Sequence, residues 1–284
     1  MRVVVTGGSG KLGRFVVDDL VANGYDVLNV DAVRAEPSRS AYLKVDLTDY
    51  GQVLEALTGV DEQGPADAVV HLAAIPAPGM RSNAATFANN APSTYNVFAA
   101  ARAAGIKNVV WASSETVLGL PFDTPPPYAP IDEEYAPRPE STYSVVKTLE
   151  EEMARQFCRW DPQLKMLGLR FSNVMAPSDY AGFEDFQQDA LLRKWNLWGY
   201  IDGRDGAQAV RLALESSLVG TDVFIVANAD TVMRRDSADL LKEVYPEVPL
   251  RRAVVGRETL LSIDKARRVL GYEPQHGWQN SAEA

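Results

Sequence analysis

Short apolar runs alternate with stretches of helical periodicity along roughly the first 170 residues of the chain. The run over 2–6 contains three consecutive valines, which is typical of a strand buried on both faces of a parallel sheet. A second apolar run covers 26–30. Between the two runs, apolar residues recur on one helical face at Leu12, Phe15, Val16 and Leu20. The pattern therefore predicts a strand, a helix and a second strand.

The same alternation continues beyond this first unit. Further strands are predicted over 42–45, 67–72, 109–112, 164–170 and 222–227, and helices over 50–57, 92–104, 141–160 and 204–217. Alternating strands and helices predict a parallel sheet with helices on both faces, joined by right-handed crossovers. The predicted fold class is α/β, with a doubly wound parallel sheet.

Two stretches interrupt this rhythm. The segment 121–139 holds seven prolines in 19 residues, which excludes a helix or a central strand and predicts a stiff loop. From residue 171 onward the alternation of strands and helices becomes irregular, and a loop rich in aromatic residues is predicted over 177–196. We therefore expect a nucleotide-binding domain over 1–170, and a mixed segment over 171–284 that completes the sheet and forms a small C-terminal substrate lobe.

A glycine-rich turn joins the first predicted strand to the first predicted helix. Gly7, Gly10 and Gly13 recur at intervals of three residues. Such glycines permit a tight turn, close approach of the backbone to a pyrophosphate, and close packing of helix on strand. The N–H groups that begin the helix attract phosphate. The turn, with Lys11 and Leu12, predicts a Rossmann-type dinucleotide site.

An acidic residue closes the second predicted strand. Asp31 lies 18 residues after Gly13, where a carboxylate accepts hydrogen bonds from the adenosine ribose hydroxyls. Because a carboxylate repels a 2′-phosphate, Asp31 favours NAD over NADP. Arg34 and Arg39 are close in sequence and leave NADP as the less favoured alternative. Asp46 and Leu47 follow the third strand, where they are placed to meet the adenine ring.

Composition narrows the classes of partner. The formal net charge of −10 argues against a nucleic acid or an anionic membrane surface. No apolar run approaches the 18 residues of a membrane span, and no leader is evident. One cysteine, Cys158, excludes an internal disulfide and suits a reducing cytosol, so we expect a cytoplasmic protein. Two histidines and one cysteine leave little for a zinc site, and no metal is expected.

A tyrosine and a lysine share one face of the predicted helix 141–160. Lys147 lies four residues after Tyr143, so its charge favours the tyrosinate and lowers the pKa of the tyrosine. Ser114 follows the predicted strand over 109–112 and is placed to hold a substrate hydroxyl. These three residues are suited to taking the proton from a carbinol while a nicotinamide ring accepts the hydride.

With these motifs in place, the chain resembles an extended short-chain dehydrogenase/reductase of the NAD-dependent epimerase/dehydratase type. The resemblance spans nearly the whole chain. The matching segments are 6–13, 71–74, 89–90 with Thr94, 113–119, Tyr143 with Lys147, 169–174 and 263–274. It implies that Ser114, Tyr143 and Lys147 are the catalytic residues. It also implies cofactor contacts from Leu72, Ala73, Ala74 and Asn90, and substrate contacts from Ile75, Ser114, Glu115, Thr116 and Asn173.

Departures from the family pattern narrow the predicted reaction. Family dehydratases carry Thr-Asp-Glu where this chain has Ser114-Glu115-Thr116, so dehydration is not expected. Nucleotide-sugar epimerases usually have tyrosine in place of Leu118 and a longer C-terminal lobe. A shorter branch, the uronate and aldose dehydrogenases, uses an arginine resembling Arg193 to bind a sugar carboxylate. Glu115 would repel a uronate if it faced the pocket, which leaves a neutral sugar open.

The leading hypothesis is an NAD-dependent sugar dehydrogenase. The alternative is a nucleotide-sugar 4-epimerase that retains its NAD, and a non-catalytic NAD-sensing protein is a third possibility. The resemblance also implies a homodimer that pairs the helices over 92–104 and 141–160. The apolar residues expected at that interface are Val97, Phe98, Val145, Leu149 and Met153.

Overall fold

Seven parallel strands form the central sheet in the computed structural model, which describes residues 1–61 and 63–279. The strands are β1 (Arg2–Thr6), β2 (Asp26–Asp31), β3 (Ala41–Lys44), β4 (Ala68–His71), β5 (Asn108–Ser114), β6 (Lys165–Phe171) and β9 (Gly220–Val226). Their order is β3-β2-β1-β4-β5-β6-β9. A short parallel pair, β7 (Val174–Met175) and β8 (Ile201–Asp202), lies outside this sheet. The predicted doubly wound α/β fold is confirmed.

Helices cover both faces of the sheet because each strand has two apolar faces. In β1, Val3 and Val5 pack into one core cluster while Val4 packs into the other. The helices are α1 (Lys11–Ala22), α2 (Tyr50–Thr58), α3 (Asn83–Ala103), α4 (Thr142–Trp160), α5 (Gly203–Glu215), α6 (Ser237–Val244) and α7 (Asp264–Leu270). On one face α1 packs against α5, and on the other α3 packs against α2 and α4. Within the described residues, no helix is long and apolar enough to cross a membrane.

The predicted start of α3 at Pro92 is wrong. The helix begins at Asn83, after Ser82, whose hydroxyl accepts a hydrogen bond from the N–H of Ala85 (3.3 Å). Pro92 lies inside the helix, where it lacks the N–H that would bond one turn back and its ring crowds the carbonyl there. The prediction treated Pro92 as the start of the helix, but the chain tolerates this proline in the middle of it. Similarly, the predicted loop over 177–196 contains two 3₁₀ helices, Pro177–Phe186 and Ala190–Asn196.

The burial of two residues contradicts part of the predicted dimer interface. Val97 and Phe98 have exposed fractions of 0% and 1% and pack inside the protomer's own core. Their assignment to an interface is wrong, because the face of α3 that carries them points at the sheet. Val145 and Leu149 on α4 are exposed, as that assignment requires. The homodimer itself stays a prediction.

The proline-rich segment is held by the C-terminal part of the chain. The Ala129 N–H donates to the carbonyl of Pro249 (3.0 Å), and the Ile131 N–H donates to the carbonyl of Leu260 (2.8 Å). Isolated parallel bridges result between Ala129 and Leu250 and between Ile131 and Leu261. The proline-rich segment is thus ordered by backbone pairing with a part of the chain that is far away in sequence.

Close packing between β5 and β6 yields a stability prediction. A Cβ atom on Gly168 would lie 2.6 Å from the ring of the fully buried Trp111. We expect Gly168→Ala to lower the free energy of unfolding by about 1–3 kcal/mol, the usual effect of overpacking. Denaturant unfolding followed by circular dichroism measures it. Gly182→Ala, where an added Cβ meets no atom within 4 Å, is the matched control. Equal stability of the two variants would contradict the packing argument.

Candidate active site

A cleft of about 1510 Å³ opens at the carboxyl ends of the sheet strands. This edge is where open α/β sheets bind their ligands. Most of the residues predicted for the site line it: Gly7, Gly10, Lys11, Leu12, Gly13, Asp31, Asp46, Leu47, Leu72, Ala73, Ala74, Ile75, Ser114, Glu115, Thr116, Tyr143, Lys147 and Asn173. Asn90 and Arg193 are absent from the lining.

The glycine-rich turn is built to bring the backbone close to its neighbours. Gly7 has φ of 73°, and a Cβ there would lie 2.6 Å from the backbone nitrogen of Ala73. A Cβ on Gly13 would lie 2.1 Å from the carbonyl oxygen of Gly7. Gly10 is the N-cap of α1 and supplies no side-chain acceptor to the helix N–H groups. The first turn of α1 therefore faces the cleft with free donors, as a pyrophosphate requires.

Asp31 is fixed at the end of β2 by the same turn. Its carboxylate accepts hydrogen bonds from the N–H of Ser9 (3.0 Å) and of Val33 (3.3 Å). Arg34 also lines the cleft, but its guanidinium pairs with Glu36 at 2.9 Å. Arg39 is absent from the lining. A carboxylate beside a glycine-rich turn and a free helix N-terminus fits the ribose and pyrophosphate of a dinucleotide.

Two residues predicted to contact the cofactor have clear structural partners. The Asp46 carboxylate accepts from both the N–H (2.9 Å) and the hydroxyl (2.7 Å) of Thr48, which shapes the turn after β3. The side-chain amide of Asn90 accepts from the N–H of Ile75 (2.8 Å) and donates to its carbonyl (3.0 Å). Asn90 therefore positions the segment after β4 from behind the cleft wall.

The three predicted catalytic residues meet where β5 ends beside the first turns of α4. Ser141 caps α4, accepting from the N–H of Ser144 at 3.1 Å, and so fixes the start of the helix. Lys147 donates to the carbonyl of Ala112 (2.7 Å), and its Nζ lies 5.8 Å from the centre of the Tyr143 ring. The lysine is thereby held against both the strand and the tyrosine.

Thr116 orients the Ser114 hydroxyl. Both the N–H (3.2 Å) and the hydroxyl (3.0 Å) of Thr116 donate to Oγ of Ser114. Because both acceptor positions of that oxygen are used, its own proton is available to another group. Tyr143 is a hydrogen-bonding neighbour of Ser114, so a substrate oxygen placed between them would contact both.

Burial changes the expected acidity of Tyr143. It raises the pKa of Tyr143 above the usual value, and the positive charge of Lys147 acts in the opposite direction. The carboxylates of Glu150 and Glu115 raise the pKa further. The sequence correctly predicted that the charge of Lys147 lowers the pKa of Tyr143, but burial outweighs this effect. The prediction took no account of burial or of the nearby carboxylates.

A buried glutamate, Glu115, lines the cleft beside the three predicted catalytic residues. Glu115 is 3% exposed and accepts from the hydroxyl of Ser172 (2.6 Å) and the amide of Asn196 (3.3 Å). Burial raises its pKa to about 7, against the effect of those donors and of the positive charge of Arg193. Glu115 can therefore serve as a hydrogen-bond acceptor or donor near neutral pH.

Arg193 is enclosed by protein. It donates to the carbonyl of Gly199 (2.9 Å), and its guanidinium lies 5.1 Å from the ring of Phe186 and 5.0 Å from that of Trp195. Trp195 does line the cleft. The predicted contact between Arg193 and a sugar carboxylate stays a prediction, and in this structure the arginine supports the aromatic wall.

Several further residues that line the cleft were not predicted from the sequence. They are apolar or acidic. Six come from loops, namely Pro76, Ala77, Pro78, Leu120, Pro121 and Glu140, and Trp195 comes from the 3₁₀ helix Ala190–Asn196. Of these residues, only those near Pro121 had a signal in the sequence, which was the high proline content of their segment. Glu150, one turn beyond Lys147 on the same face of α4, was also missed, although its spacing of three residues was a usable signal.

The fold and the cleft define a dinucleotide-binding protein of the Rossmann class. Residues 3–226 match the model of the NAD dependent epimerase/dehydratase family. The chain belongs to this family, so it is an enzyme of a family that depends on NAD. The resemblance seen in the sequence is thereby confirmed.

Relatives within the family catalyse different reactions. UDP-glucose 4-epimerase 2 of Oryza sativa subsp. japonica is 33% identical over 63% of this chain and 47% of its own length. The chain thus spans about half the length of that relative. L-arabinose 1-dehydrogenase (NAD(P)(+)) of Haloferax volcanii is 30% identical over 81% of this chain and 89% of its own.

Solved structures show the same fold. The structure of a UDP-galactose 4-epimerase superposes with a TM-score of 0.71 at 28% sequence identity. The match covers 100% of this chain and 96% of the epimerase chain. A mutated uronate dehydrogenase has a TM-score of 0.68 at 21% identity, and covers 99% of this chain and 84% of its own.

Asp31 provides a test of the cofactor half of the cleft. Asp31→Ala is expected to weaken NAD binding roughly ten- to a hundredfold, because hydrogen bonds to a charged group contribute about 1.5–3 kcal/mol. Asp31→Asn, which keeps an acceptor for Ser9, should relax discrimination against NADP. Calorimetric titration measures both, with Asp26→Ala at the opposite end of β2 as the control. A parent protein that already prefers NADP would assign the choice to Arg34.

Proposed function

We propose that the protein is an NAD-dependent dehydrogenase that oxidises a hydroxyl group of a neutral, free sugar. The observation that carries this proposal is the distribution of charge in the cleft. Its cations within the described chain are Lys11, Arg14, Arg34, Lys44 and Lys147. The first four lie beside the glycine-rich turn and the ends of β2 and β3, and Lys147 lies beside Tyr143. The rest of the cleft lining, on the side of Tyr143 away from the glycine-rich turn, contributes carboxylates and apolar groups.

An anionic substrate would need cations in that part. Uronates and nucleotide diphosphates are normally bound by arginine or lysine. Six cations of the C-terminal part of the chain are absent from the cleft lining, and each bonds to or packs against other residues of the protein. Arg193 bonds Gly199, Lys194 lies over the Tyr245 ring, and the ion pairs are Arg234 with Glu184, Arg235 with Glu243, Arg251 with Asp132, and Arg252 with Glu258.

Glu115 supports a neutral substrate directly. Glu115 lines the cleft next to Ser114, where a sugar hydroxyl can donate to its carboxyl group. Its pKa of about 7 leaves it charged above neutral pH, and it would then repel a uronate. Arg193, which a uronate carboxylate would otherwise use, is absent from the cleft lining and donates to the carbonyl of Gly199.

In the proposed reaction, Tyr143 takes the proton of the sugar hydroxyl while Ser114 holds the same oxygen. The positive charge of Lys147 stabilises the tyrosinate that accepts this proton. Bound NAD supplies the acceptor for the hydride that leaves the carbon. The products are a carbonyl compound, NADH and one proton. Asp31 favours NAD over NADP because it repels a 2′-phosphate.

A nucleotide-sugar 4-epimerase with retained NAD is the alternative. The same serine, tyrosine and lysine serve both reactions. The similarity to the rice epimerase supports it, at 33% identity. The absence of cations from the substrate part of the described cleft argues against the diphosphate that such a substrate carries.

Steady formation of NADH distinguishes these reactions. With NAD in excess, we expect NADH to accumulate with neutral aldoses, and far more slowly with uronates, because Glu115 repels their carboxylate. Absorbance of NADH measures this. Conversion of UDP-glucose to UDP-galactose without net NADH would instead support the epimerase. Glu115→Gln should narrow the difference between neutral aldoses and uronates, and Glu140→Gln in the outer wall is the matched control.

Loss of the proposed base gives a second test. Tyr143→Phe should lower turnover by at least about a hundredfold, the usual contribution of general acid–base catalysis. NAD affinity should change little, because only one hydroxyl is removed. Steady-state kinetics and a calorimetric titration of NAD measure the two effects. Turnover near that of the parent would eliminate Tyr143 as the base.

A further inference from the structure

A chain of buried polar side chains runs from the catalytic lysine into the interior. Lys147 donates to Oε2 of Glu150 (2.9 Å), and Thr94 donates to Oε1 of the same carboxylate (2.9 Å). The Thr94 hydroxyl also bonds Nε2 of His71 (3.0 Å), and Nδ1 of His71 bonds the hydroxyl of Thr6 (2.7 Å). All five residues are 3% exposed or less.

The directions of these hydrogen bonds follow from their partners. The single proton of the Thr94 hydroxyl goes to Glu150, so the Nε2–H of His71 must donate to Thr94. Burial and the charge of Lys147 lower the pKa of His71 to about 3, so the ring is neutral and its Nδ1 accepts from Thr6. Every donor in the chain therefore points toward Glu150, which is 0% exposed. Burial raises the pKa of Glu150, and the charge of Lys147 and the hydrogen bonds from Lys147 and Thr94 act against that effect and favour the carboxylate.

We propose that Glu150 is a positioning residue that holds Lys147 in place and sets the pH at which Tyr143 releases its proton. The proposal rests on the role of Tyr143 as base in the proposed function. Glu150 lies on the same face of α4 as Lys147 and contacts its Nζ directly. It is separate from Glu151, whose carboxylate is bound by Arg170.

Counting charges gives the direction of the effect. With Glu150 present, protonated Tyr143, charged Lys147 and the carboxylate sum to zero, and loss of one proton leaves a buried net charge of −1. Without the carboxylate, loss of one proton takes the tyrosine–lysine pair from +1 to zero. Since net charge is unfavourable in a buried site, the pair gives up its proton at lower pH when Glu150 is neutral.

The other charged groups around Tyr143 do not substitute for Glu150. Glu115, beyond the end of β5, also raises the pKa of Tyr143, but its effect is the smaller of the two. His71 on β4 is neutral, and Glu151 on α4 is neutralised by Arg170 from β6. Glu150 is the carboxylate in direct contact with Lys147.

The test replaces Glu150 by its neutral isostere. Glu150→Gln should move the acid limb of the pH profile of kcat to lower pH by about one to two units, the usual effect of a charge a few ångströms away. A second readout is independent of turnover: the tyrosinate absorbance of Tyr143, isolated by subtracting the pH titration of the matching Tyr143→Phe protein. Its midpoint should fall by a similar amount.

Two further variants complete the test. Thr94→Val removes one donor to Glu150, which raises the pKa of that carboxyl group and favours its neutral form, and should therefore give a smaller shift in the same direction. Glu152→Gln, on the exposed face of α4, is the control and should leave both readouts unchanged. Loss of activity in Glu150→Gln with an unmoved titration midpoint would overturn the proposal. The proposed function fails separately, if Tyr143→Phe retains turnover.

Discussion

Charged side chains on the inner face of α4 fix the position of this helix, which carries the proposed base. Glu151 accepts from Nε (2.9 Å) and Nη2 (2.8 Å) of Arg170 on β6 and from the hydroxyl of Ser113 on β5 (2.7 Å). Removing one partner of such a buried pair costs about 3–5 kcal/mol, so this contact sets the register of α4 on the sheet. Tyr143 and Lys147 lie two turns or less from it, and their distance from Ser114 follows from that register.

The cleft is divided electrostatically along its length. Free N–H groups and cations surround the place where a pyrophosphate belongs, and carboxylates and apolar side chains form the opposite end. Glu115 and Arg193 show how the second end is organised: both charges are buried, and each reduces the cost of burying the other. An arginine balanced by the protein's own carboxylate is less available to a substrate's carboxylate.

Much of the fold was predictable because it depends on local patterns. The continuous valines of β1 and the glycine spacing after it specify a strand, a turn and a helix whatever lies elsewhere in the chain. The start of α3 was not predictable from such a pattern, because a proline can either mark a helix boundary or be tolerated inside a helix. At the site, Ser114, Tyr143 and Lys147 were indicated by spacing. The burial of Arg193 and the hydrogen bonds of Glu150 depend on segments distant in sequence, which no local pattern specifies.

The bridges formed by Ala129 and Ile131 have a consequence for how the protein opens. They join the wall next to Pro121 to residues 249–262, so neither segment keeps its backbone partners if the other detaches. We therefore expect the amides of Ala129 and Ile131 to exchange with solvent in one step with their partners, as a single cooperative unit. The substrate end of the cleft would then share its local stability with the C-terminal segment.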